Sequence, residues 1–444
     1  MNLSELIDKS FIEPIIHERA YIGVEIELPL VPIGGGIVTT EFVCQLDDFV
    51  IGMGFSPAEY TDDGIVCRMS DAEGDMVSFD TSWNTLEFSL KPRRDVFSLQ
   101  RSYYGLLIPI QHFCMERGFF VCGRGINPNY AKFDPAPMNS SMIKTYTRFL
   151  EKYTWHHDTE IFHALCASVQ THFDACDTES FLKMFSLFRK AYVFDALFFA
   201  NSLPPDADFI ENRPALRPLD RDTLCYRDEL WKYSGAANTQ LLNVKLDTLD
   251  DYRQYIRLLK LFVVGKDGGF EAIKPSSLDE YCSDPDWTEE MFALFRSFEP
   301  VAPTRRGTVE IRSVCSQPLD TMLTPSAFYT GLYAELDETA ALVDEIYEKY
   351  FPALEAPQIR VMLMKRSDST LRPALRDEGR KLIELSIKGL RKRGYGEEKF
   401  LYSLLERLEN NGWRVPAECT TADALDDTKH QMKNIEKECG INVN

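Results

Sequence analysis

The amino-acid sequence predicts an α+β fold built around a largely antiparallel sheet, with a mainly helical C-terminal portion. Three observations predict this fold class. Strand-like and helix-like segments are mixed, but they do not alternate regularly as a parallel sheet requires. Several strand-like segments place polar residues on one face and apolar residues on the other. From residue 325 onward the sequence is charged and has helical spacing almost throughout.

The predicted elements follow in chain order. Residues 1–20 predict a short helix, and residues 21–31 predict a strand that ends in the turn "PIGGG". This turn lacks the Lys-Ser/Thr pair of a phosphate-binding loop, so we interpret it as a plain turn. Further strands are predicted over residues 64–70, 76–90, 118–125 and 307–313, and helices over residues 94–117, 142–155, 179–202, 249–264 and 287–298. The residues between 202 and 250 are rich in Pro, Arg and Asp and predict long loops.

Charge and cysteine content narrow the classes of function. The 444 residues carry a formal net charge of −20, which argues against nucleic-acid and membrane-surface partners because both need positive fields. The first twenty residues lack the apolar core of a targeting segment, and no apolar run reaches the length of a membrane span. The eleven cysteines include no CxxC pair, which indicates reduced thiols and a cytoplasmic protein.

Pairs of polar residues share one face of several predicted strands. Successive side chains of a strand point to opposite faces, so residues two apart share a face. The segments "YIGVEIELPLV", "SVQTHFD" and "GTVEIRS" each contain such a pair, and "FDTSWNTLEFSL" offers two acids seven residues apart. If these strands lie in one sheet, its polar face holds Glu25, Glu27, Asp80, Glu87, Gln170, His172, Glu310 and Arg312.

Several carboxylates beside one imidazole are typical of a hard-cation site. Mg²⁺ favours carboxylate oxygens, and the histidine makes Mn²⁺ an alternative. Such an ion bridges nucleotide phosphates, and a nearby arginine stabilises a transferring phosphoryl group. Each motif alone has a simpler explanation: a solvated strand face, a structural histidine or a surface salt bridge. Their conjunction favours a metal–nucleotide site.

The same segments resemble those of the glutamate–cysteine ligase family, the plant and proteobacterial-type carboxylate–amine ligases related in fold to glutamine synthetase. "GVEIELPLV" is similar to the family's first metal strand, "FDTSWNTLEFSL" to the next part of its sheet, and "CASVQTHFD" to the strand that presents a Gln and a metal ligand. "FFANSLP", "YRQYIRLLKLFVVGKDGGF" and "GLRKRGYGEEKFLYSLLERLENNGWRVPAE" resemble further family segments. The most specific match is "GTVEIRSVCSQPLDTMLTPSAFYTGL".

The resemblance implies a site as well as a fold. It implies one catalytic domain over residues 1–444, with residues 325–444 as its helical portion and a curved sheet that forms a funnel-shaped active site. The implied metal ligands are Glu25, Glu27, Asp80, Glu87, His172 and Glu310. Arg312 is implied as the catalytic residue that faces the γ-phosphate and the acyl phosphate. The implied substrate-binding candidates are Arg217, Arg305, Arg306 and Gln170.

The implied reaction joins the side-chain carboxylate of glutamate to an amine, with cysteine as the expected amine. ATP is the co-substrate, Mg²⁺ the cofactor, and the reaction passes through an acyl phosphate. The expected partners are small molecules: the amino acid, the amine and ATP. Two alternatives stay open, namely a related ligase for another acid or amine and a non-catalytic regulatory protein that binds nucleotide. The sequence predicts nothing about oligomeric state.

Overall fold

The computed structural model describes residues 2–15, 21–153, 162–234, 242–283, 287–288, 299–368, 370–411, 413 and 419–441. These residues form an α+β fold with a large antiparallel sheet and a helical C-terminal part, which confirms the predicted fold class. Most of the helix predicted over residues 287–298 lies outside the described residues. Within the described ranges, no helix combines the length and the apolar character needed to cross a membrane.

Nine strands form the main sheet, in the order β10-β11-β7-β1-β5-β4-β3-β2, and β6 also pairs with β1. Strands β8 and β9 form a separate hairpin. All these strand pairs are antiparallel. The strands are β1 Ile22–Pro32, β2 Ser56–Tyr60, β3 Val66–Ser70, β4 Met76–Phe79, β5 Thr85–Arg93, β6 Phe119–Val121, β7 Ser168–Phe173, β8 Lys260–Lys266, β9 Gly269–Ser277, β10 Val301–Pro303 and β11 Val309–Cys315.

Strand β1 organises the centre of the main sheet, because it pairs with β5 along one edge and with β7 and β6 along the other. The register places Glu27 of β1 opposite Glu87 of β5. On the other side of β7, His172 lies opposite Glu310 of β11. Neighbouring strands lie about 4.8 Å apart, so this register brings polar side chains from four strands together.

The opposite face of β1 is apolar and belongs to the core. Val24, Ile26 and Leu28 are almost completely buried. Helices Thr324–Ala334 and Val96–Glu116 contact β1 and β5, respectively. The alternation predicted for β1 therefore separates a core-facing side from a polar side.

Capping residues set several helix boundaries. Asp95 and Asp177 accept hydrogen bonds from main-chain amides in the first turn of the helices that follow them. The C-cap of the helix Arg376–Arg393 is Gly394, which has left-handed backbone angles. The α-helices of the described residues are Leu3–Ile7, Thr40–Gly52, Val96–Glu116, Ser141–Tyr153, Phe162–Leu165, Thr178–Ala191, Asp195–Phe198, Ala207–Glu211, Tyr226–Ser234, Leu249–Leu258, Leu278–Cys282, Thr324–Ala334, Leu336–Tyr350, Ala356–Met364, Leu371–Ala374, Arg376–Arg393, Tyr402–Asn411 and Thr421–Glu438.

Several of the sequence-based boundaries are wrong, and in two places the type of element differs as well. The helix predicted over residues 249–264 ends at Leu258, and the apolar run after it forms β8 of the hairpin. Residues 202–250, predicted as loops, contain the helices Ala207–Glu211 and Tyr226–Ser234. In both places the run of apolar or charged residues is short. It contains too few repeats of the hydrophobic pattern to distinguish a helix from a strand or a loop.

Candidate metal centre

Two groups of potential metal ligands lie on the polar side of the main sheet. The first group contains Glu25, His172 and Glu310, and the second contains Glu27, Asp80 and Glu87. Within each group, one potential ligand atom from each residue lies within 4.8 Å of those of the other two. The structure therefore brings together all six side chains that are predicted as metal ligands, and it divides them into two groups of three.

The first group combines negative and positive side chains. His172 Nε2 lies 3.3 Å from Glu25 Oε1 and 3.8 Å from Glu310 Oε1. The Arg312 guanidinium forms an ion pair with Glu310, as expected for same-face residues two apart on a strand. Arg306 Nη2 approaches Glu25 Oε1 from the rim of the site at 3.8 Å.

Hydrogen bonds orient the acids of the second group. Ser168 donates to Glu27 Oε2 through its main-chain amide at 2.7 Å and its hydroxyl at 2.8 Å. Gln170 Nε2 donates to the other oxygen of Glu27 at 2.6 Å. The Ser89 hydroxyl donates to Glu87 Oε1 at 2.5 Å. Oriented carboxylates lose little conformational entropy when they bind a cation.

Electrostatics show that the second group is short of positive charge. Burial, together with the charge of Glu27, raises the pKa of Asp80 to about 7. Burial and the charges of Glu25, Asp80 and Glu27 raise the pKa of Glu87 well above its usual range. Burial also raises the pKa of Glu27, against the charge of Arg227. A divalent cation among these acids would reverse this effect.

The first group is closer to internal charge balance. Burial opposes ionisation of Glu25, but the hydrogen bond and charge of His172, followed by Arg312 and Arg306, lower its pKa to about 2. Burial would lower the pKa of His172, yet Glu310 and Glu25 outweigh it and raise that pKa. Glu25 is therefore ionised at neutral pH, as a metal ligand must be.

The four predicted substrate-binding residues have different positions. Gln170 lies in the site, and its Oε1 is buried with no hydrogen-bond partner among the described residues. Arg306 lies at the rim, beside Glu25. The Arg305 guanidinium carbon lies 5.7 Å from the centre of the Phe11 ring. Arg217 is exposed and donates through Nε to the main-chain oxygen of Glu211 at 2.8 Å.

The structure adds Arg227 and two serines to the residues predicted for the site. Arg227 is buried and donates to the main-chain oxygen of Arg312 at 2.9 Å, and its charge opposes the burial that raises the pKa of Glu27. The sequence predicts a loop for the segment of Arg227, which gives this arginine no strand face and no predicted role. Ser168 and Ser89 were detectable, since each lies two residues from a predicted site residue, Gln170 and Glu87, and hence on the same strand face.

Comparisons with known proteins find similarity only among solved structures. Neither a protein-family model nor a curated protein sequence matches this chain. A bifunctional glutathione synthetase from Pasteurella multocida is 11% identical, with a TM-score of 0.44 over 98% of this chain and 54% of that one. This chain thus spans about half the length of that enzyme.

Two further solved structures are similar to this chain. The glutamate–cysteine ligase of Francisella tularensis, in complex with AMP, is 12% identical, with a TM-score of 0.45 over 95% of this chain and 90% of that one. The ligase PafA, in complex with the prokaryotic ubiquitin-like protein Pup, is 9% identical, with a TM-score of 0.34 over 95% of this chain and 64% of that one. At these identities and TM-scores the similarity assigns no function to this chain.

Proposed function

We propose that this chain is an ATP- and Mg²⁺-dependent carboxylate–amine ligase. The observation that carries the proposal is the pair of acidic groups on one sheet face with Arg312 beside them. Carboxylates in this density are the ligands that Mg²⁺ prefers, and Mg²⁺ in turn binds the phosphates of ATP. The composition of both groups fits such ions, because each offers at least two carboxylates whose repulsion a cation relieves.

The proposed chemistry solves a leaving-group problem. A carboxylate resists attack by an amine because its oxygen leaves poorly. In the first step a carboxylate oxygen attacks the γ-phosphorus, the bond to the bridging oxygen breaks, and ADP leaves. In the second step the amine nitrogen attacks the acyl carbon, the carbon–oxygen bond to phosphate breaks, and inorganic phosphate leaves. The amine nitrogen also loses a proton, so the products are an amide, ADP and phosphate.

The residues of this chain have separable roles in that proposal. Glu25, His172 and Glu310 would hold one Mg²⁺ and Glu27, Asp80 and Glu87 another, and these ions would neutralise the phosphates of ATP. Arg312 points to the same face as Glu310, and its planar fork suits a transferring phosphoryl group. Ser168 and Gln170 keep Glu27 in one orientation.

Glutamate and cysteine are the proposed substrates, because the sequence motifs that include the six ligands resemble those of the glutamate–cysteine ligase family. Arg306 and Gln170 are the candidates to contact a substrate carboxylate or amide. Arg227 joins them, since it is a buried cation beside Glu27. A related acid or amine is the alternative within the same reaction class.

Product analysis tests this proposal. Purified protein is incubated with ATP, Mg²⁺, glutamate and cysteine, and the nucleotide products are separated by chromatography. We expect ADP and phosphate in equal amounts, formed only when both an acid and an amine are present. AMP and pyrophosphate as the main products would overturn the acyl-phosphate mechanism. Tight binding of Mg·ATP without turnover on any acid–amine pair would favour a regulatory protein that binds nucleotide.

A further inference from the structure

The turn between β10 and β11, residues 304–308, sends two side chains to the first ligand group. Arg306 Nη2 lies 3.8 Å from Glu25 Oε1, and the Thr308 hydroxyl lies 3.5 Å from His172 Nδ1. Most of the Arg306 side chain, 72%, is exposed. Because Arg306 has few lateral contacts, the backbone of the turn determines where its guanidinium can reach.

Hydrogen bonds within the turn hold that backbone in one conformation. The amide of Thr304 donates to the main-chain oxygen of Thr308 at 2.9 Å, and the amide of Gly307 donates to the main-chain oxygen of Thr304 at 3.1 Å. The Arg306 amide donates to the Thr304 hydroxyl at 3.2 Å. The hydroxyls of Thr304 and Thr308 lie 2.7 Å apart.

The outer side of the turn contacts residues 11–15, which we call the N-terminal brace. Gly307 has a φ of +75°, and a β-carbon there would lie 2.0 Å from the Pro14 carbonyl oxygen and 2.6 Å from the Ile15 nitrogen. Glycine alone satisfies both the backbone angle and the space. The backbones of the brace and the turn are therefore in direct contact.

The N-terminal brace is itself anchored to the rest of the molecule. Phe11 and Ile15 are buried in the main core. The preceding residues are tied to the helix Leu249–Leu258, where Arg253 Nε donates to Asp8 at 2.7 Å and Arg257 Nη2 donates to the Ser4 hydroxyl at 2.6 Å. A fixed brace gives the turn a fixed position.

We propose that the N-terminal brace is a positioning element of the active site, which acts through Gly307 to place Arg306 where a substrate anion binds. This inference rests on the proposed function, since the anion is a phosphate of ATP or the carboxylate of the acid. Gly307 and Pro14 are positioning residues, whereas Arg306 makes the contact. A guanidinium held in place before binding loses less side-chain entropy when the anion arrives.

Binding measurements on the full-length protein test the inference. Calorimetry gives the affinities for glutamate and for Mg²⁺ with adenylyl imidodiphosphate, an ATP analogue that resists hydrolysis. We expect Arg306→Ala to weaken binding of one of these ligands about tenfold, which identifies the anion. Gly307→Ala should weaken the same ligand by a similar factor. Both changes remove the same contact between Arg306 and the anion. The double variant should therefore bind the ligand no more weakly than either single variant.

Gly268→Ala is the matched control. Gly268 lies in the β8–β9 turn with a φ of +73°, close to that of Gly307, but a β-carbon there would meet nothing within 4 Å. It imposes a similar backbone strain without a clash, so its affinities should equal those of the wild type. Thr304→Val is a second test variant, because it removes the hydroxyl that accepts from the Arg306 amide while keeping the side chain's shape. It should weaken the same ligand several-fold.

Two results would overturn the inference. One is that Gly307→Ala and Thr304→Val lose no more affinity for the ligand than Gly268→Ala does. The other is that the double variant, with Arg306→Ala and Gly307→Ala, loses affinity by the product of the two single-variant factors. Binding of Mn²⁺ without nucleotide, measured by electron paramagnetic resonance, separates this failure from failure of the proposed function. Wild-type protein that binds no Mn²⁺ contradicts the metal centre itself and this inference with it.

Discussion

At the scale of single residues, the candidate site contains buried ionisable side chains that destabilise the fold when no ligand is bound. The second ligand group packs three carboxylates together, and Asp80 and Glu87 resist ionisation for that reason. Arg312 has the opposite role, because it brings positive charge to Glu310 and to whatever anion enters. Buried charge without a partner is destabilising, so such groups indicate function rather than stability.

Arg312→Lys should lower turnover on the order of a hundredfold to a thousandfold while affinity for Mg·ATP stays close to wild type. Lysine keeps the charge but loses the planar fork that matches a phosphoryl group. Turnover and nucleotide affinity are measured on the same preparation. Arg393→Lys is the control, since Arg393 pairs with Glu397 in the helical C-terminal part. Near-wild-type turnover in Arg312→Lys would show that Arg312 serves only as a salt-bridge partner of Glu310.

Asp47 provides a test of burial that is independent of function. Its side chain is buried, and Oδ1 has no hydrogen-bond partner among the described residues. Burial, with the charge of Asp48, raises its pKa from 3.8 to about 7. The folded state thus binds a proton that the unfolded state has lost, so this residue makes stability fall as pH rises from about 4 to 7.

We therefore expect Asp47→Asn to gain stability relative to wild type as the pH rises, by up to ~4 kcal/mol at ~1.4 kcal/mol per pKa unit. Urea unfolding at pH 5 and pH 8 measures the difference. Asp48→Asn is the control, because Asp48 is exposed on the same helix and should show a much smaller change. A difference between Asp47→Asn and wild type that does not change with pH would show that Asp47 titrates normally.

At the scale of elements, the register of four strands creates the site. Glu27 faces Glu87 across β1 and β5, and ionisation of both carboxyls would oppose pairing of those strands. The apolar opposite face of β1 stabilises the sheet and holds the two acids together. Without a cation these strands pair at an electrostatic cost, which a bound cation would relieve.

Glu87→Gln should raise the melting temperature of the metal-free protein and reduce the rise that Mg²⁺ produces. Burial among other acids raises the pKa of Glu87, so folding must keep this carboxyl protonated, whereas the amide is always neutral and keeps the shape of the side chain. Thermal melts with and without Mg²⁺ measure both effects. Glu59→Gln is the control: Glu59 lies on strand β2 of the same sheet and pairs with Arg68, and it should change neither quantity appreciably. A metal-free melting temperature lowered by Glu87→Gln would contradict electrostatic strain at this position.

At the scale of the whole molecule, the sequence predicts the fold class and the five acids and one histidine of the site from short-range patterns. Period-two alternation identifies β1, β7 and β11 because each has one apolar and one polar face over several residues. The same rule cannot tell that the six side chains divide into two groups, since that division depends on which strands pair. The role of Arg227 escapes such patterns, because this arginine reaches the site from a helix that is distant in sequence from the strands.

Anomalous diffraction at the manganese absorption edge tests the central claim most directly. Crystals of the protein are soaked with Mn²⁺ and adenylyl imidodiphosphate, and the anomalous map is calculated without metal in the phasing model. We predict a peak among Glu25, His172 and Glu310, a second among Glu27, Asp80 and Glu87, and nucleotide phosphates between them and Arg312. A map with nucleotide bound elsewhere, or with no peak at either group, would contradict the account.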